Sequence, residues 1–298
     1  MRLNLESPEE ISINALDPHA WFIPFDNPRD EHPVFPDDSS RLISLNGGWD
    51  FHFFPSPYLV PDPSHIDFLE NDAGVSIRVP GCWEMEGFDK PQYLNYIYPI
   101  PVNPPHIPGE NPTGVYQRQF RIPETWKNKK IIITFLGVSA AYEVYVNQIF
   151  VGANKGSHLT TEFEITAHLH WNQENVITVI VNKWCDGSYL EDQDMWRLHG
   201  IFRDVYLAAR PAMHLHDVRI NADYDPNSST GHLRVSFKTS EPSQLPLVIF
   251  LKDPSGETVH SKKLLSSAVF KEEIPDAKPW TAETPNLYQL IIETLDDE

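Results

Sequence analysis

Tyr142-Glu143-Val144-Tyr145-Val146-Asn147-Gln148-Ile149-Phe150-Val151 is the stretch that decides the fold class. Tyr142, Val144 and Val146 recur at every second position and run into the polar pair Asn147-Gln148, after which the apolar character resumes. A period of two, interrupted by two polar residues, predicts a β-hairpin. The rhythm extends outward on both sides. Trp49, Phe51 and Phe53 alternate with Asp50 and His52 after a turn at Asn46-Gly47-Gly48. Residues 131–135 form a short continuous β run, and 175–181 and 202–207 repeat the theme. No segment here holds a helical period over three turns. Many short strands joined by polar turns predict a β-sandwich or jelly roll.

A second strand series follows Arg210-Pro211, at 215–220, 232–238, 247–251 and 258–264, with a last strand at 287–293. Asp253-Pro254-Ser255-Gly256 reads as a type I turn between two of them. This spacing suits an immunoglobulin-like sandwich, without the paired cysteines and buried Trp of antibody domains. Prolines crowd the chain before residue 125, at 17–18, 33–36, 55–63 and 99–112, where neither helix nor central strand can form. The expected organisation is all-β: an extended arm over 1–40 with no core of its own, a jelly-roll domain over 41–212, and an immunoglobulin-like domain over 213–298.

The chain has 298 residues and a formal charge of −19, from 23 basic and 42 acidic side chains. That field repels nucleic acid and anionic membranes but is compatible with a neutral polyol. Cys82 and Cys185 are too few for a disulfide framework and sit in no CxxC pattern, so buried thiols are expected. The start, MRLNLESPEE, has no apolar core of a secretory signal, and no apolar run approaches the roughly 18 residues of a spanning helix. A soluble, cytoplasmic protein is expected.

The densest polar stretch is Asp186-Gly-Ser-Tyr-Leu-Glu191-Asp192-Gln-Asp194-Met-Trp196-Arg197. An acidic segment this long between two β runs reads as a functional loop. Its carboxylates suit a hard cation or sugar hydroxyls, and Trp196 suits the apolar face of a pyranose. The plainer alternative is a solvated loop that Trp196 anchors to the core. In Tyr93-Leu94-Asn95-Tyr96, the Asn95 amide could meet a hydroxyl among aromatic rings, or could be a turn residue flanked by core aromatics. His168 with His170, and His214 with His216, share a face at i, i+2 if they lie on strands. No third metal ligand stands nearby, so surface histidines are expected. Serine-nucleophile elbows, P-loops, GxGxxG and HExxH are absent, and no carboxylate pair lies on an evident barrel strand. Taken alone, these residues suggest a carbohydrate-binding module.

Several phrases sharpen that reading. Ser44-Leu45-Asn46-Gly47-Gly48-Trp49, Val79-Pro80-Gly81-Cys82-Trp83-Glu84, Tyr98-Pro99-Ile100, Asn103-Pro104-Pro105, Glu110-Asn111-Pro112-Thr113-Gly114 and Pro279-Trp280 through Tyr288 resemble bacterial β-galactosidases of glycoside hydrolase family 2. So, above all, does Asp186 to Arg197, with Gly200-Ile-Phe-Arg-Asp204 after it. The resemblance implies a sugar-binding jelly roll, then an immunoglobulin-like domain, then a (β/α)₈ barrel that is absent from this chain and carries both catalytic glutamates. No catalytic residue is therefore expected here, and these 298 residues alone should be inactive. The parent would hydrolyse terminal β-D-galactosides such as lactose with retention, as a homo-oligomer using sodium and magnesium. Asn95 and Asp194 correspond to the residues that position galactose, and Asp194 also to a sodium ligand completed by the barrel. Asp186 matches one ligand of a magnesium site that, in the best-known enterobacterial member, ties the N-terminal arm to the first domain. The other matched positions are Asn4, Ser7 and Lys155, and a lysine there argues against a cation. No ion is expected to bind these 298 residues tightly. A stand-alone sugar-binding sandwich without catalysis is the alternative.

Overall fold

The computed structural model describes residues 3–26, 36–65, 74–191 and 193–295, and among them there is β structure with short 3-10 turns and no α-helix. The expected hairpin forms as β8 (Ala141–Val146) and β9 (Ile149–Lys155). Asn147 and Gln148 take φ values of 50° and 66°, the paired positive dihedrals of a turn whose twist matches that of its flanking strands. These two strands lie in a seven-stranded sheet of order β1-β9-β8-β11-β6-β3-β4. Its other members are β1 (Ser12–Ile13), β3 (Gly47–Phe54), β4 (Val75–Val79), β6 (Thr113–Arg121) and β11 (Glu174–Asn182). Facing it is a four-stranded sheet, β10-β7-β13-β2, made of β2 (Leu42–Ser44), β7 (Lys130–Phe135), β10 (Thr161–Glu164) and β13 (Val205–Arg210). A separate ribbon pairs β5 (Gln92–Leu94) with β12 (Met195–Arg197).

The two sheets close over one apolar core. Trp49, Phe51, Tyr116, Tyr142, Val144, Ile177 and Val179 meet Ile131, Ile133, Phe135, Phe163, Val205 and Leu207. The larger sheet is covered on its other face as well. Tyr145 and Ile180 pack with Val60 and Val115, while Ala141, Ala153 and Cys185 pack with Leu3, Leu5 and Ile13 of the arm. Burial on both faces explains why β8 is buried at every position instead of alternating. Gly152 permits the arm's approach, since a Cβ there would lie 2.6 Å from the Ile13 carbonyl oxygen and 2.5 Å from the Phe163 ring.

The second sandwich consists of the sheets β14-β15-β18 and β17-β16-β19. Their strands are β14 (Leu215–Asp225), β15 (Thr230–Thr239), β16 (Pro246–Lys252), β17 (Thr258–Leu265), β18 (Phe270–Ile274) and β19 (Gln289–Thr294). Leu233, Val235, Ile249, Leu251 and Phe270 form its core. The turn at Asp253 forms as expected between β16 and β17, with Asp253 N–H donating to the Glu257 carbonyl at 2.9 Å. The chain is thus a jelly-roll sandwich followed by an immunoglobulin-like one, with no barrel among the described residues.

The described residues divide into two compact units. The segment expected to be one arm is shared between them: of its described residues, 3–18 and 36–40 belong with the first sandwich, and 19–26 with the second. In the latter part, Ala20 N–H donates to Asp217 Oδ1 at 2.8 Å, and the His19 and His216 rings lie 5.1 Å apart. Two expectations for the histidines need correcting. His168 closes a 3-10 turn and lies on no strand. His214 and His216 are buried, the former accepted by the Pro211 carbonyl at 2.8 Å from Nδ1, so they are not surface residues. Of the cysteines, Cys185 is buried and Cys82 half-buried, and burial pushes both thiols up to about 11. No described helix is long and apolar enough to cross a membrane.

Candidate functional site

The two stretches singled out in the sequence meet in the β5–β12 ribbon. Leu94 pairs with Met195, Tyr93 with Trp196 and Gln92 with Arg197. Asn95 directly follows β5 and Asp194 directly precedes β12, so both stand at the same end of the ribbon. The Tyr93 hydroxyl donates to Asp194 Oδ1 at 2.5 Å, and this bond is the chief reason the Tyr93 phenol titrates above its ordinary range.

Exposure decides between the alternatives left open by the sequence. Trp196 is 57% exposed, so it does not anchor the loop to the core. Tyr93 (49%) and Tyr96 (87%) are not core aromatics either. Tyr93 and Trp196 stand with ring centroids 5.6 Å apart, beside the exposed carboxylate of Asp194 and the exposed Asn95. Aromatic faces around one anionic and one amide group form a surface that can stack the C–H face of a sugar and meet its hydroxyls.

The three described acids of the loop take separate partners, and Asp192 lies outside the described residues. Asp186 turns to Lys155, at 2.9 Å. Both Glu191 carboxylate oxygens bind Ser157, from its N–H at 2.8 Å and its hydroxyl at 2.5 Å. Of these three, Asp194 is the one that faces solvent. Among the described residues no three His, Cys, Asp or Glu side chains gather as a metal site. A single exposed carboxylate can supply one hard oxygen ligand of the six or more that such cations take, so Asp194 fits part of a sodium site.

A ribbon of three residue pairs cannot hold its own shape, and the recognised phrases supply its frame. Asn111, buried at 1% exposure, exchanges two hydrogen bonds with Trp184: Nδ2 to its carbonyl at 2.9 Å and Oδ1 from its N–H at 2.8 Å. The Tyr189 hydroxyl, with one proton to donate, lies 2.6 Å from the His106 carbonyl oxygen and 2.9 Å from that of Pro101, fastening the proline-rich loop to the turn after Cys185. Arg197 reaches back to the Gln193 carbonyl at 2.7 Å, bracing the loop that ends at Asp194.

One pair escaped the sequence reading. Glu84, its side chain wholly buried, accepts the His199 N–H at 2.8 Å and lies 2.7 Å from His199 Nδ1. The ring stacks on Trp83 with centroids 5.9 Å apart. Burial holds the His199 imidazole below its ordinary pKa, against the opposing pull of Glu84. The pair lies two residues beyond the end of β12. Glu84 and His199 are 115 residues apart, and no local pattern signals such a pairing.

Comparisons with known proteins agree with this architecture. Residues 42–211 match the profile described as "Glycosyl hydrolases family 2, sugar binding domain", and residues 213–298 match "Glycosyl hydrolases family 2". A β-galactosidase of Actinobacillus pleuropneumoniae is 38% identical over 292 residues, covering 98% of this chain and 28% of the relative. One from Psychromonas ingrahamii is 38% identical over 270 residues, covering 85% and 26% respectively. This chain thus spans between a quarter and a third of their lengths. Among solved structures, a β-glycosidase from Bacteroides vulgatus superposes with a TM-score of 0.66 at 22% identity, over 86% of this chain and 32% of that one. A β-glucuronidase from an uncultured Clostridium gives 0.65 at 20% identity, over 88% and 44%.

Proposed function

The chain belongs to glycoside hydrolase family 2, and from that premise we propose that it is the sugar-positioning and scaffold part of a cytoplasmic, homo-oligomeric β-galactosidase acting on lactose-type substrates. Domain limits at 41–212 and 213–298 belong to the same proposal. The observation that supports it is the Tyr93–Asp194 hydrogen bond at the end of the β5–β12 ribbon, on an aromatic, solvent-facing surface that also carries Asn95. Both are proposed to bind galactose. The Asn95 amide offers a donor and an acceptor to ring hydroxyls, and the Asp194 carboxylate accepts from a hydroxyl while Tyr93 fixes its orientation. When bound, sodium would neutralise Asp194 and add a hydroxyl contact.

Cleavage with retention needs an acid and a nucleophilic carboxylate about 5 to 5.5 Å apart on opposite sides of the glycosidic bond. Glu191 is committed to Ser157 and Asp186 to Lys155, so neither serves. Both groups are assigned to the barrel of the parent. The test is Asp194→Ala in the full-length enzyme. Loss of a charged contact in a closed, water-poor site should lower kcat/KM by about a hundredfold or more while the protein stays folded. Near-normal kinetics would end the positioning role.

A further inference from the structure

Lys155 and Asp186 lie where the arm crosses the first sandwich, each all but inaccessible to solvent, with side chains 6% and 7% exposed. The Lys155 ammonium lies 2.9 Å from Asp186 Oδ1, 3.1 Å from Oδ2 and 2.9 Å from the Ser7 carbonyl oxygen. Those contacts use the hydrogen-bonding capacity of an ammonium, which has three donors and no acceptor. The same two residues hold the arm through their backbones: Asp186 N–H donates to the Leu5 carbonyl at 2.8 Å, and Lys155 N–H to that of Ile11 at 2.9 Å.

The residues do not fit magnesium. The spacings are those of N–H···O bonds, not the roughly 2.0–2.1 Å of magnesium–oxygen contacts. Asn4 does not offer its side-chain oxygen to the site, because that atom accepts the Glu6 N–H at 3.0 Å. A divalent ion brought to Asp186 would meet the ammonium at close range in a partly dry setting, where like charges repel strongly.

We infer that the Lys155 ammonium is itself the cation of this site, a tethered charge that fastens residues 3–13 to the first sandwich and makes arm docking independent of divalent metal. Amide hydrogen exchange on the 298-residue chain tests this, read at Asp186 and Lys155, whose N–H groups bond to the arm, with Val179 of the core as control. In the wild type, protection at both should be the same with a chelator as with millimolar magnesium. Lys155→Met strands the buried carboxylate and should lower protection at both amides about a hundredfold in either condition, leaving Val179 unchanged. Lys155→Gln removes the charge but supplies an oxygen, so its protection should be low in chelator and recover with magnesium. Wild-type protection that falls on chelation would overturn the inference, as would Lys155→Met protection equal to wild type. Should either variant fail to fold, manganese line broadening on the wild type decides: sharp signals at Asp186 and Lys155 are expected, and broadened ones would refute the assignment.

Discussion

Replacing Glu84 by alanine should destabilise the first sandwich more than any surface charge substitution. Its carboxylate receives two hydrogen bonds from His199, and both partners are buried, with side chains 0% and 5% exposed. Hydrogen bonds to a carboxylate contribute about 1.5–3 kcal/mol each, so losing the two costs about 4 kcal/mol, a large share of the roughly 5–15 kcal/mol of a typical fold. For a unit of this size that corresponds to a fall in Tm of about 8–16 °C. Glu84→Gln keeps the volume and one carbonyl oxygen, so it should cost about half as much. Urea unfolding followed by tryptophan fluorescence is the assay, because Trp83 stacks directly on His199. The slope should stay constant while the midpoint moves. A shift in both variants smaller than about 1 kcal/mol would show that His199 finds other partners, and that the pair does not fasten the strand leading out of the ribbon.

Stability of the same unit should fall as pH drops below about 6.5, because the unfolded His199 binds a proton there while the folded ring, held at a lower pKa by burial, does not. Urea midpoints at pH 7.5 and 5.5 should therefore converge in His199→Gln relative to wild type, and equal declines in both would refute the assignment. The purified 298-residue chain should fold but release no chromophore from a chromogenic β-galactoside, since Asp186 and Glu191 are committed to Lys155 and Ser157 and the acid and nucleophile are assigned to the barrel of the parent. Turnover abolished by Asp194→Asn would make this chain a catalyst and reverse that reading.

The parts of the fold legible in sequence were those with strong local chemistry. Asn147-Gln148 and Asp253-Pro-Ser-Gly marked turns, and long apolar strands such as β11 and β16 announced themselves. β18 was missed because Phe-Lys-Glu-Glu-Ile shows only two apolar residues, although Phe270 is a core side chain. The strand expected from Phe202 begins only at Val205: Phe202 precedes it, with Arg203 set 5.3 Å over its ring. Asn95 and Asp194 lie in stretches that composition singled out with two readings open, and the resemblance favoured one of them. That the two stretches meet depends on a ribbon of two three-residue strands, too short for any period to reveal. The dispersal of Asp186, Glu191 and Asp194 to three separate partners was equally hidden, since those partners come from distant strands and loops.

The arm has a consequence for how this protein is made. Leu3 bonds to Glu143, 140 residues later, and Ser7 receives Lys155 across 148 residues. At about 5–20 residues per second of synthesis, this segment waits roughly 7–30 seconds after it is made before its seat exists. During that interval β1 has no β9 to join, and any protease nearby finds an unoccupied strip of chain. A segment that carries Pro8 and three glutamates within residues 3–13 can spend that time in water without recruiting the wrong strand. Its poverty of structural signal is what lets a segment made before its seat be among the last parts to settle.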